Sequence, residues 1–270
     1  MQTNRPKKQY GQNFLTDEHV LREIISRSAI DKDSIVIEIG PGRGALTKHL
    51  VKAVKHVLAF EIDETLKPYL IPIQADNPNL EILFQDVMSI NIKEEIEQRF
   101  NDQRVACIAN IPYYITSPII FMLLETNNVT NASLMIQKEV ADRLIANPKT
   151  KAYGAFTVLV KFEAEVKKLI SVKRGCFYPI PAVDSAVIEL TKHNTYKEQC
   201  RNHELFRQLV KASFGQKRKT LLNNLSQTFD LNKQELLKKL QLIDDSYTEF
   251  TRAEEMSIDQ FIQLTNGWEL

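Results

Sequence analysis

Ile35-Val36-Ile37-Glu38-Ile39-Gly40-Pro41-Gly42-Arg43-Gly44 decides the fold of this 270-residue chain. The run opens on three β-branched residues, which suit a pleated and buried strand. The stretch from about Ala45 to Ala53 then carries its apolar residues at helical spacing. Strand, glycine turn and helix in that order make a nucleotide cradle, because the glycines let the backbone turn tightly and lie against a ligand where a Cβ would collide. Dinucleotide folds use G-x-G-x-x-G and set a pyrophosphate on the helix N-terminus. Here the spacing is G-x-G-x-G, and Glu38 stands two residues before the first glycine. A carboxylate there repels a pyrophosphate but suits the cationic methionine end of S-adenosylmethionine. A methyl donor is therefore favoured over a nicotinamide or flavin.

Outward from this loop the pattern repeats. Apolar runs at Val57-Leu58-Ala59-Phe60, Leu80 to Phe84, Val105 to Ala109 and Leu134-Met135-Ile136 alternate with longer amphipathic segments, the signature of a parallel α/β sheet. The second of these strands leads into Glu61, with Asp63 just beyond, and a carboxylate at that place accepts both ribose hydroxyls of an adenosine moiety. Asp86, after the strand ending at Phe84, is placed to accept from an adenine amino group. Ala164 to Val172 and Val183 to Leu190 lack a helix between them and predict an antiparallel pair at one sheet edge, joined by a loop with Phe177, Pro179 and Pro181. Beyond about Thr191 the β-branched runs stop, and leucines recur at helical spacing, as in Leu236, Leu237 and Leu240. The expected organisation is an α/β sheet domain over residues 1–191 followed by a small all-helical domain over 192–270.

Composition narrows the function classes. Lys and Arg number 35 against 34 Asp and Glu, so nucleic-acid affinity must come from local patches. The candidate patches are Arg5, Lys7 and Lys8; Lys167, Lys168, Lys173 and Arg174; and Lys211, Lys217, Arg218 and Lys219. Each alone reads as a solvated face. Cys107, Cys176 and Cys200 are widely spaced and odd in number, which argues against a disulfide framework or a zinc cluster. No apolar stretch follows the polar, basic start, so neither a secretory signal nor a membrane anchor is expected, and the cytoplasm is the expected compartment.

Asn110-Ile111-Pro112-Tyr113 follows the fourth strand, at the carboxyl edge where open α/β sheets bind ligands. An exocyclic aromatic amine such as adenine N6 is a poor nucleophile, because its lone pair is delocalised into the ring. Acceptors for both N–H groups, the Asn110 side-chain oxygen and the Pro112 carbonyl, favour a pyramidal nitrogen and free that pair. Tyr113 then stacks on the base, so positioning and fixed dipoles supply the rate. The plain alternative is a strand-to-helix turn rich in ordinary turn residues, which leaves the preceding cofactor loop without a purpose.

These motifs, with Tyr10 to Leu15, Gln137 to Val140, Lys151 to Gly154, Pro181 to Val187 and Phe214 to Thr220, resemble the bacterial 16S ribosomal RNA adenine N6,N6-dimethyltransferases nearly end to end. That family is grouped with the 23S methyltransferases of macrolide resistance and a mitochondrial transcription factor. The resemblance implies a Rossmann-like class I methyltransferase fold and dimethylation of two adjacent adenines in the 3′-terminal hairpin of 16S RNA, within a pre-30S particle. It implies S-adenosylmethionine as donor, no metal, no membrane and a monomer. Carried over by position, Asn13, Leu15, Gly40, Glu61, Asp86 and Asn110 contact the donor, while Asn110, Pro112 and Tyr113 frame the target base. Lys217, Arg218 and Lys219 are expected to meet RNA, and the Phe214 to Thr220 stretch favours the 16S branch. Tyr114 departs from the pattern, standing where a polar Asn is expected. Two other readings are a binding protein that kept the fold without turnover and a dehydrogenase. The retained carboxylates and Asn110 argue against the first, and the glycine spacing against the second.

Overall fold

The computed structural model describes residues 6, 7 and 10–268; Arg5 and Lys8 of the first basic cluster lie outside them. The chain forms two compact units, one running to Ala141 and including Glu165–Lys192, the other comprising Asp142–Ala164 and the chain from His193.

The first unit is built on β2 (Ile35–Ile39), β3 (His56–Phe60), β4 (Leu80–Leu83), β5 (Val105–Asn110), β6 (Val129–Gln137), β7 (Ala164–Val172) and β9 (Ser185–Lys192). Their order is β4-β3-β2-β5-β6-β9-β7. The first five are mutually parallel, and β9 runs antiparallel to β6. The chain leaves β2 toward β3 and β4 on one side and returns through β5 on the other. That reversal opens a crevice beyond the carboxyl ends of β2 and β5, the place where such sheets hold ligands. All five residues of β2 are buried, as are Val105 to Ala109 of β5. Strands covered on both faces read as continuous apolar runs, and for that reason they are visible in the sequence.

Helices α1 (Glu18–Arg27), α2 (Thr47–Ala53), α3 (Lys67–Asp76), α4 (Ile92–Phe100) and α5 (Thr116–Glu125) accompany the sheet. Leu50 of α2 and Leu70 and Ile73 of α3 pack with Val36, Val57, Ala59 and Ile108 in one cluster. Phe177, expected in a loop, instead belongs to a two-residue strand, β8 (Phe177–Tyr178). It pairs antiparallel with an equally short β1 (Phe14–Leu15), matching Phe14 to Tyr178 and Leu15 to Phe177. Two residues are too few to show alternation.

Helix α6 (Lys138–Ile145) spans the first crossing between units. The second unit contains α7 (Ala155–Glu163), α8 (Thr195–Gln199), α9 (His203–Ser213), α10 (Leu221–Phe229), α11 (Lys233–Ile243) and α12 (Ile258–Asn266). Residues 142–164, expected with the sheet, thus pack with the helices. Phe162 of α7 stacks on Phe206 of α9 with centroids 4.1 Å apart. The buried Glu163 carboxylate pairs with Lys197 at 2.5 Å and Arg207 at 3.1 Å. α7 runs into β7 without a Gly or Pro, so nothing local marks the change.

Candidate active site

Three glycines of the loop after β2 adopt left-handed backbone, with φ of +70° at Gly40, +62° at Gly42 and +78° at Gly44. A Cβ on Gly42 would sit 3.0 Å from the Phe14 ring, and one on Gly44 would sit 2.3 Å from Ile73 Cδ1. Both the turn and its close packing therefore need glycine. The loop is tied to the end of β3: Gly40 N–H donates to the Phe60 carbonyl at 2.9 Å, and Gly42 N–H to Glu61 Oε2 at 2.9 Å. Glu61 Oε1 accepts the Asp63 N–H at 2.8 Å. Each carboxylate oxygen thus keeps a further lone pair for a ligand.

Glu61 is 4% exposed. Burial pushes its carboxyl up to about 7, against the pull of the Asp63 and Gly42 N–H groups. Glu38 is 1% exposed, and its Oε2 has no hydrogen-bond partner among the described residues. Burial raises it to about 8; the Thr47 side chain opposes the shift and the Glu61 charge adds to it. An unpartnered buried carboxylate costs free energy that a cationic ligand group offsets.

Asp63 plays a different part. Burial works against its charge, but Lys7, Thr65 and Gln12 outweigh that and hold its carboxyl below the usual range. Lys7 Nζ donates to Oδ1 at 2.7 Å and Gln12 Nε2 to Oδ2 at 2.7 Å, while Gln12 Oε1 accepts the Lys7 N–H at 2.7 Å. Asp63 therefore fastens the segment before β1 beside the glycine loop.

That segment reaches the catalytic tetrapeptide. Asn110, at the end of β5, donates its side-chain N–H to the Asn13 carbonyl at 3.1 Å. One of its two N–H groups is thus engaged, which fixes the amide, and its oxygen accepts no hydrogen bond among the described residues. The Pro112 carbonyl accepts the Ile115 N–H at 3.2 Å and retains one lone pair. The Tyr113 hydroxyl is 2.7 Å from Ser185 Oγ at the start of β9, which fixes the ring. Burial raises its phenol above the ordinary tyrosine value, against the Ser185 hydrogen bond.

The ribosomal RNA adenine dimethylase family model matches residues 3–267. The chain belongs to the ribosomal RNA adenine dimethylase family. It is a methyltransferase acting on adenine in ribosomal RNA. A ribosomal RNA small subunit methyltransferase A from Onion yellows phytoplasma (strain OY-M) is 44% identical over 97% of this chain and 96% of its own length. The protein of the same name from Bacillus pumilus (strain SAFR-032) is 43% identical over 96% and 90%. A dimethyladenosine transferase from Plasmodium falciparum has TM-score 0.78 and 26% identity, covering 93% of this chain and 95% of its own. The 23S rRNA methyltransferase ErmE, at TM-score 0.68 and 23% identity over 94% and 99%, shares the fold.

In this dimethylase one cavity of about 310 Å³ is lined by Asn13, Leu15, Gly40, Glu61, Asn110, Pro112 and Tyr113, which brings most of the anticipated residues together. Asp86 does not line it; its Oδ1 accepts the Met88 N–H at 2.9 Å. Tyr114 is absent from the lining too. It is 58% exposed, with its ring lying over Gly11. Sequence reasoning missed three contributors. Phe14 lines the cavity and carries the Arg43 guanidinium over its ring, 4.7 Å from the centroid. Ser185 anchors Tyr113, and the Lys7–Gln12–Asp63 fastening spans more than fifty positions, beyond any local pattern. Lys217, Arg218 and Lys219 lie exposed in the turn between α9 and α10, away from these residues in sequence, and Lys217 Nζ donates to the Lys151 carbonyl at 3.4 Å. Of the middle cluster, Lys167 pairs with Glu165 and Lys173 with Asp184, as a solvated face does. Among the described residues no helix is long and apolar enough to cross a membrane.

Proposed function

We propose that this chain dimethylates N6 of two adjacent adenines in the 3′-terminal hairpin of 16S ribosomal RNA, using S-adenosylmethionine and no metal. The sheet unit would carry donor binding and catalysis, and the helical unit, which includes residues 142–164, RNA contacts. The observation that carries the reading is the Asn110 amide: one N–H is bound to the Asn13 carbonyl, which fixes the group, and its side-chain oxygen accepts no hydrogen bond among the described residues in the cavity it lines with Tyr113. An acceptor there suits an amino group, and not a hydroxyl oxygen that must itself lose a proton to a base. The donor supplies an electrophilic methyl group on a sulfonium whose departure leaves a neutral thioether, so no Lewis acid is required.

The residues fit that donor. Glu61 would hold two ribose hydroxyls on its free lone pairs, and Glu38 would meet the cationic methionine end. Asn13, Leu15 and Gly40 complete the wall, and Asp86 is proposed to reach the adenine amino group on the rim. Asn110 and the Pro112 carbonyl accept the two N6 hydrogens while Tyr113 holds the base plane, and the methylated nitrogen gives its proton to water. The small-subunit names of the relatives support the 16S branch. A cytoplasmic monomer working on a pre-30S particle accords with that substrate.

Primer extension on small-subunit RNA tests this reading, because N6,N6-dimethyladenine cannot form a normal Watson–Crick pair. Cells with the protein should give a stop at two adjacent adenines, and cells lacking it should give read-through. A stop that persists without the protein contradicts the proposal.

A further inference from the structure

The helical unit holds a cavity of about 620 Å³ that no part of the methyl-transfer chemistry uses. Its floor is Leu236 and Leu240, each 1% exposed, Ile243 lines it, and Leu242, 87% exposed, stands at its rim. Trp268 closes one side. A Cβ on Gly267 would fall 2.7 Å from Ile243 Cγ1, so only glycine lets the chain leaving α12 lie this close to the end of α11. The Phe229 ring packs beside the indole, 5.3 Å away between centroids and tilted by 53°. Arg201 and Lys239 stand on the lining as exposed cations, and neither side chain has an ion pair or hydrogen bond among the described residues. Among the described residues no carboxylate lines the cavity.

An aromatic ring braced by a neighbour, an apolar floor and two unpaired cations are the parts that bind an unstacked nucleotide. Bases stack on aromatic rings whatever their sequence, and phosphates meet Lys and Arg. We propose that this cavity is an accessory RNA subsite, holding one extruded nucleotide of the ribosomal RNA with its base against Trp268 and its phosphate on Arg201 and Lys239. The inference rests on the RNA substrate proposed above. Charge favours a nucleotide over an apolar peptide, which would leave both cations without partners.

Trp268 is the one tryptophan of the chain, so its fluorescence reports on this cavity alone. The full-length protein is titrated with a single-stranded hexa-adenylate and, in parallel, with a hexaglutamate peptide. The expected result is quenching by the oligonucleotide, with affinity at least about fivefold weaker in the Arg201→Ala, Lys239→Ala double variant and donor affinity unchanged. No quenching, quenching by the acidic peptide alone, or equal affinity in the double variant overturns the subsite. Methyl transfer by the wild-type protein is measured on the same preparation. Transfer without quenching sinks the subsite alone, while absent transfer sinks the functional reading beneath it.

Discussion

Glu61 is the residue on which structure and pH meet. Its carboxyl, raised to about 7 from 4.5, is partly protonated at neutral pH in the unliganded protein. A ribose diol needs the ionised form. Donor affinity should therefore fall as pH drops from 8 toward 5.5, by up to about tenfold per unit below the pKa. Glu61→Gln should weaken binding at pH 8 by roughly 1.5–3 kcal/mol and remove the Glu61 share of this dependence, leaving that of Glu38. Calorimetry of donor binding across that range checks both, and identical pH profiles for wild type and variant would contradict the assignment. Stability follows the opposite course. Glu61 and Glu38 have folded values above their unfolded ones, so their contribution is fully present below about 4.5 and is lost as pH rises through about 7 and 8.

Tyr113 gives a second residue-scale expectation. N6 offers two hydrogens before the first transfer and one after it, so the monomethylated base leans more on the ring. A base–aromatic stack is worth roughly 1–3 kcal/mol, comparable to the hydrogen bond that the first methyl group removes. Tyr113→Ala should slow both steps and accumulate N6-monomethyladenine over a time course read by mass spectrometry. A mono-to-dimethyl ratio equal to that of wild type would remove the stacking role.

Among the elements, the strands and loop of the cofactor cradle are legible in the sequence because they are local: β2 and β5 are buried runs, and the glycines mark one turn. What escapes the sequence is set by distant contacts or by pieces too short to show a period. β1 and β8 are each two residues long, α7 merges into β7, and Asp63 is bound by residues at the far end of the chain. Asp86 and Tyr114 are tied to the site by sequence position alone, and the lining of the cavity excludes both. The fastening of the first segment has a consequence for catalysis, since Gln12 is held by Asp63 while neighbouring Asn13 orients Asn110. Gln12→Ala and Asp63→Ala should each lower kcat, and together they should lower it by less than the product of the single effects. Additivity within about 0.3–0.5 kcal/mol would show that the segment does not position Asn110.

At the scale of the molecule, a nearly neutral chain engages a polyanion through patches. The Lys217, Arg218 and Lys219 turn is exposed and follows α9 directly. Replacing all three with Gln should reduce the slope of log affinity against log salt by about 0.7 to 0.9 for each phosphate that the turn no longer neutralises. An unchanged slope would make the turn a solvated face like the Lys167 cluster.

Product analysis with labelled donor decides whether the Asn110 acceptor makes this dimethylase an N6-specific enzyme. Small-subunit RNA or particles lacking the modification are incubated with labelled S-adenosylmethionine and either wild type or Asn110→Ala, then digested and resolved by mass spectrometry. The prediction is N6,N6-dimethyladenine at two adjacent positions with wild type. Asn110→Ala should lose both methyl transfers without accumulating the monomethyl form. Label on any other atom or base, or full dimethylation by Asn110→Ala, would contradict this role of Asn110.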